Sequence, residues 1–262
     1  MKVLIDSDLE VLYRAAFASE PTVYYVQGQS FSYKKEAMKY CKEREIDPEE
    51  ITKEKEYFSL KYAQNVLDGF VEELVQEVKD EYGEQDYSFI HYLTGKTNFR
   101  KEVDSEYKAH RSEKPDLLEE LKAYIHVKYN GIIEEGYEAD DLIGIESQSC
   151  RDAKIDFLIV SQDKDLDQLA GLHYNRRRKV FYEVLEDEGI RYLWQQMLTG
   201  DRADNVYGIY GVGDKTALKM MDGIPTDELP DLIKQEYEKN GITEKFDKNL
   251  TSLTILQQRL KD

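Results

Sequence analysis

Two short apolar runs, each stopping at a set of aspartates, constrain this chain more than any other feature. Residues 3–5 lead into Asp6-Ser7-Asp8, and residues 155–160 lead into Asp163, Asp165 and Asp167. Runs this short and this apolar read as buried strands. Further strands are expected at 88–93, 131–133 and 180–184. Helical patterns fall at 62–78, with Val66, Phe70, Leu74 and Val78 on one stripe, and at 117–129 and 138–150. Strands alternating with helices predict an α/β fold, with a mostly parallel central sheet flanked by helices. After Asp187-Glu188-Gly189 the pattern is helical to the end.

In open α/β sheets, ligands collect beyond the C-terminal ends of the strands, so acids distant in sequence meet there. Asp6, Asp8, Asp163, Asp165 and Asp167 all follow strand ends. Glu138, Asp140 and Asp141 open a helix that can face the same crevice. Each cluster has a plain reading: acids in a first helical turn favour the dipole, and 163–167 could be a solvated turn. A calcium loop is excluded, because its sixth position would be Gln168 and its twelfth Tyr174. Taken together, so many carboxylates in one crevice need a cation to stay ionised. Oxygen-only donors favour Mg²⁺, or Mn²⁺ in its place, over Zn²⁺. Two such ions roughly 3.5–4 Å apart suit phosphodiester cleavage.

A second constellation runs from Gly200-Asp201 through Asp204-Asn205 to residues 208–217. It is not a phosphate-binding P-loop, since Asp214 separates Gly213 from Lys215 and no strand precedes it. It reads as a hairpin between helices, in which Gly211 and Gly213 bring backbone N–H groups to a DNA phosphate beside Lys215. The plain alternative is a glycine-rich helix cap.

Composition narrows the classes. Hydrophobic residues at 40% suffice for a core. No apolar run is long enough to span a bilayer, and Asp6 interrupts the N-terminus before a signal peptide can form. A cytoplasmic protein is expected, with no membrane partner. Cys41 and Cys150 make neither a disulfide framework nor a zinc site. The net charge of −18 opposes nucleic-acid binding at first sight. Basic residues nevertheless cluster at Arg100-Lys101, 108–111 and Arg176-Arg177-Arg178-Lys179. Residues 27–55 are polar and read as an insertion or a solvent-facing helical hairpin. Residues 95–114 read as an exposed loop or arch.

These motifs, in this order, resemble the 5′-nuclease family of flap endonucleases, polymerase 5′-exonuclease domains and bacteriophage exonucleases. The carriers are Ile5-Asp6, Asn98-Phe99-Arg100 through Tyr107-Lys108-Ala109-His110-Arg111, Glu138-Ala139-Asp140-Asp141, residues 161–169, Gly200-Asp201 through Asp204-Asn205, and 208–217. The resemblance implies a PIN-like nuclease core (1–185) with a helical arch at about 96–128. It also implies a helix–three-turn–helix DNA-binding subdomain (186–262). By that resemblance Asp6, Glu138, Asp140, Asp141, Asp163 and Asp165 are ligands of one or both Mg²⁺ ions, and Asp201 and Asp204 are second-site ligands. Lys108 and Arg111 would meet the scissile phosphate or the threaded strand, with Arg100 nearby on DNA.

One departure concerns the end of the second strand, where the family carries an aspartate. Here Tyr92-Leu93-Thr94-Gly95-Lys96 has none, and either water or Asp8 fills the role. The expected activity is 5′→3′ exonuclease and flap endonuclease action in DNA replication, on DNA 5′ ends, flaps or RNA–DNA primers. The lack of a polymerase domain suggests a stand-alone enzyme of bacteriophage type, working in the host cytoplasm. A PIN-type ribonuclease and a branched-DNA-binding protein that does not cut remain the alternatives.

Overall fold

The computed structural model describes residues 1–110 and 114–260. In chain order it begins with β1 (Lys2–Asp6), α1 (Tyr13–Ser19), β2 (Thr22–Val26), β3 (Gln29–Phe31), α2 (Lys34–Arg44), β4 (Thr52–Lys55) and α3 (Leu60–Tyr82). There follow β5 (Ser88–Asn98), α4 (Arg100–Val103), α5 (Leu118–Lys128), β6 (Ile132–Gly136), α6 (Ala139–Ala153), β7 (Phe157–Val160), β8 (Gly171–Asn175) and β9 (Val180–Val184). The last part holds α7 (Glu186–Thr199), β10 (Gly200–Asp201), β11 (Val206–Tyr207), α8 (Asp214–Met221), α9 (Leu229–Lys239) and α10 (Phe246–Leu253). Packing divides the chain into two compact units, one of residues 1–10, 84–113 and 129–262, the other of residues 11–83 and 114–128.

The larger unit is built on a six-stranded sheet of order β6-β5-β1-β7-β8-β9. Every neighbouring pair is parallel except β8–β9, so the expected mostly parallel α/β sheet is what forms. Strand β1 lies inside it, and Val3, Leu4 and Ile5 are fully buried, as an interior strand requires. Strand β5 runs past the expected end at 93. Gly95 permits this: a Cβ there would meet the Glu134 carbonyl oxygen at 2.4 Å, so only glycine lets β5 approach β6 so closely. Residues 96–98 are therefore strand, not the start of a loop. Strand β8 went unread in the sequence.

The C-terminal region is helical as expected, broken only by the β10–β11 ladder. Trp194, Met197, Leu198, Ala217, Met221, Ile233 and Tyr237 form its core. These helices share a unit with the sheet, and α7 packs on the turn at Lys164–Gln168.

In the smaller unit, α3 buries Ala63, Leu67, Val71, Leu74 and Val78, a stripe rotated from the expected one. Ser59 caps it by accepting from the Tyr62 N–H at 3.2 Å. Residues 22–55 correct the helical-hairpin expectation: they fold as a three-stranded antiparallel sheet, β3-β2-β4, carrying the single helix α2. Val26, Ala37 and Cys41 make its small core.

Candidate active site

Four segments of the larger unit bring acids to the C-terminal edge of the sheet. Asp6 ends β1 and is 2% exposed; the Ser161 hydroxyl donates to its Oδ2 at 2.8 Å. Burial, then the charges of Asp8, Asp163 and Glu10, push its pKa up to about 8 against the relief from Ser161. The Oδ2 of Asp8 accepts from the Thr94 N–H at 3.0 Å.

After β7, Asp163 caps a short 3₁₀ turn, its Oδ1 accepting from the Asp165 N–H at 2.9 Å. Loss of solvation, followed by the charges of Asp163 and Asp201, raises Asp165 to about 7. Gln196 donates to Asp165 Oδ1 at 2.7 Å. Asp140 is raised well above the carboxylate range by desolvation in the crevice and by the charges of Asp6 and Asp163. Asp163 thus repels Asp6, Asp140 and Asp165, and Asp6 repels Asp140.

The remaining acids lie around two ammonium groups. Lys108 Nζ stands 2.5 Å from Glu138 Oε1 and 3.5 Å from Asp204 Oδ2. Lys164 Nζ stands 3.1 Å from Asp201 Oδ2 and 3.9 Å from Asp165 Oδ1. The Tyr107 hydroxyl lies 2.9 Å from Glu138 Oε2 and 2.8 Å from Asp204 Oδ2. Burial works to raise Glu138, but Lys108 and Arg100 outweigh it and hold its pKa below the ordinary value.

Two expectations need correction. Asp141 is fully buried, and both its oxygens are committed. Oδ1 accepts from Arg100 at 2.7 Å and the Leu256 N–H at 3.1 Å; Oδ2 accepts from Arg100 at 2.7 Å and the Glu138 N–H at 3.2 Å. A carboxylate offers about four acceptor positions, and here the protein itself takes them. Arg100, expected on DNA, is 2% exposed and spends its remaining donors on Glu138 and on the carbonyls of Ser252 and Thr254. It anchors the start of α6 instead. Arg111 lies outside the described residues.

Gly211, Gly213 and Lys215 form a separate exposed surface. Gly211 has φ +80°, Gly213 caps α8, and a Cβ on either would meet nothing within 4 Å. A groove of about 620 Å³ runs beside them, lined by Arg202, Tyr207, Tyr210 and Lys245 among others.

Sequence reasoning missed Ser161, Lys164, Tyr107 and Gln196 as parts of this edge. The first three stand inside quoted motifs, Ser161 and Lys164 within two residues of Asp163 and Tyr107 beside Lys108. Gln196 gave no signal, because its approach to Asp165 spans 31 positions.

The chain is thus an α/β sheet protein with acids gathered from separate segments at its C-terminal edge. Residues 3–192 match the family described as 5′-3′ exonuclease, N-terminal resolvase-like domain, and the chain belongs to that family. It is 28% identical over 216 residues to DNA polymerase I of Bacillus caldotenax, covering 70% of this chain and 24% of that protein. It is 30% identical over 198 residues to DNA polymerase I of Bacillus subtilis, covering 68% and 22%. The chain therefore spans about a quarter or less of these relatives. In fold it is similar to the bacteriophage T5 flap endonuclease solved with DNA and metal ions (TM-score 0.53, 19% identity, 72% of this chain and 80% of that one). It is likewise similar to the zinc-bound T5 5′-exonuclease (TM-score 0.52, 20% identity, 69% and 77%).

Proposed function

We propose that this chain hydrolyses phosphodiester bonds of DNA at or near 5′ ends, as a Mg²⁺-dependent 5′→3′ exonuclease and flap endonuclease. The observation that carries this reading is the crowding of Asp6, Asp140 and Asp165 around the charge of Asp163, which a divalent cation relieves. The donors fit a hard ion, since the crevice acids are all carboxylates. Among the described residues, no three acid, histidine or cysteine side chains converge into a ready-made cage. Mg²⁺ keeps several waters and takes one or two carboxylates directly, so most of these acids would reach it through water. Asp6, Asp140, Asp163 and Glu138 would hold one ion, and Asp165, Asp201 and Asp204 a second, with Asp8 supporting the first. Bound there, the ions would supply an activated water and charge neutralisation at the scissile phosphate.

The chain's own groups complete the reading. Lys108 neutralises charge developing on the phosphate, where a preorganised cation contributes most. Tyr107 fixes Glu138 and Asp204 relative to each other. Gly211, Gly213 and Lys215, with the helices after 186 as a helix–three-turn–helix element, hold duplex backbone without reading bases. RNA–DNA primers are substrates of the same site, because nothing in this chemistry consults the sugar. The Asp8–Thr94 contact, at the stretch of β5 where the expected acid is missing, favours cleavage over a role in DNA binding alone.

The test is incubation of a 5′-labelled flap, its matched single strand and its duplex with Mg²⁺ or with EDTA. Mg²⁺-dependent products near the flap junction are expected. Binding without products in either Mg²⁺ or Mn²⁺ would overturn the reading.

A further inference from the structure

The β8–β9 hairpin carries four consecutive cations at its tip, Arg176-Arg177-Arg178-Lys179, in a chain of net charge −18. The function proposed above makes no use of them. Turn chemistry does not explain them either. Lys179 has φ +55°, a conformation that favours glycine or asparagine, and four like charges repel within one turn.

Topology places this tip. β8 is parallel to β7 and β7 to β1, so β8 ends at the same edge as the carboxylates. At ~4.8 Å per strand, the turn starts about 10 Å along that edge from the end of β1. The hairpin is held there firmly. Ser161, which binds Asp6, donates its N–H to the Tyr174 carbonyl at 3.2 Å. Tyr182 donates to Asp167 in the acidic turn at 2.6 Å. The Tyr174 and Phe181 rings stack 3.9 Å apart beneath the tip. Asn175 Oδ1 closes the turn by accepting from the Arg178 N–H at 3.1 Å. Arg176 is buried at the base, while Arg177, Arg178 and Lys179 are exposed.

We propose that this turn is a phosphate-binding site for the nucleic-acid strand whose scissile bond enters the carboxylate edge. The inference rests on the nuclease reading. A rigid cationic tip beside an acidic crevice offsets the repulsion that a polyanion would otherwise meet there. The planar guanidinium groups of Arg177 and Arg178 suit phosphate oxygens, and such contacts position a strand without selecting its sequence.

The experiment compares wild type, R177A/R178A and R177K/R178K in Mg²⁺-dependent cleavage of a 5′ flap across 50–200 mM KCl, a range suggested by counterion-release behaviour. The alanine pair is expected to raise KM more than it lowers kcat. It should also flatten the slope of log(kcat/KM) against log[salt] by about 1.8, about 0.9 per phosphate contact. The lysine pair should restore most of that slope. An alanine pair that cuts with wild-type KM and slope overturns the proposal, as does a lysine pair that loses as much as alanine. A wild-type protein that fails to cut in the same buffers overturns the nuclease reading and this inference together.

Discussion

Asp8 reaches from just beyond β1 to the neighbouring strand β5, where its Oδ2 accepts a hydrogen bond from the backbone N–H of Thr94 at 3.0 Å. Its charge also acts on Asp6. A carboxylate therefore stands beside a stretch of β5 whose own sequence, Tyr92-Leu93-Thr94-Gly95, supplies none.

If that carboxylate supports the ion, Asp8→Asn keeps an acceptor for Thr94 but removes the charge. The Mg²⁺ concentration for half-maximal cleavage should rise at least about tenfold, in the range for groups behind a metal's ligands. A Mg²⁺ titration coinciding with wild type would remove Asp8 from the site.

Stability of the metal-free protein should fall as pH rises from 6.5 to above 8. Asp6, Asp140 and Asp165 are raised in the folded state, so folding retains protons that the unfolded chain has released. That contribution is complete below the ordinary carboxylate pKa and lost through about 7 to 8. His91, lowered to about 4 by burial, acts oppositely, removing stability as pH drops below 6.5. Tm measured in EDTA should therefore decline from pH 6.5 to 8.5, and Mg²⁺ should raise it most at 8.5. A flat EDTA profile above pH 6.5 would contradict the crowding described here.

Replacing Arg100 with alanine leaves Asp141 buried without its bidentate partner. Removing one member of a buried pair costs roughly 3–5 kcal/mol, to be read by urea unfolding. A loss below about 1 kcal/mol would show that Asp141 does not depend on this pair.

Gly95→Ala puts a methyl group against the Glu134 carbonyl. Overpacking of this kind costs about 1–3 kcal/mol. The displaced Thr94 should also shift the Mg²⁺ titration in the same direction as Asp8→Asn. Unchanged stability and titration would mean that β5 and β6 can part without consequence.

The frame of the site was legible because β1 and β7 are buried runs followed directly by acids, a pattern that survives without knowledge of neighbours. Other elements are fixed by partners far along the chain. Asp140 and Asp141 are adjacent acids with opposite fates. One faces the crevice; the other meets Arg100 and the Leu256 N–H, 115 positions away. Strand β4 is wholly exposed and holds its shape by pairing with β2, so its residues carry no alternation to read. Strand β8 hides because His173 and Asn175 are polar yet buried.

The most direct test of the central claim is single-turnover cleavage of a 5′ flap by wild type and by Asp163→Asn, with folding of both checked by circular dichroism. The account predicts Mg²⁺-dependent cutting by wild type and a loss of at least about a thousandfold in the folded variant, as expected where charge at a metal-assisted site is removed. Wild-type cleavage by the variant would contradict it and move the chemistry away from the edge formed by Asp6, Asp140, Asp163 and Asp165.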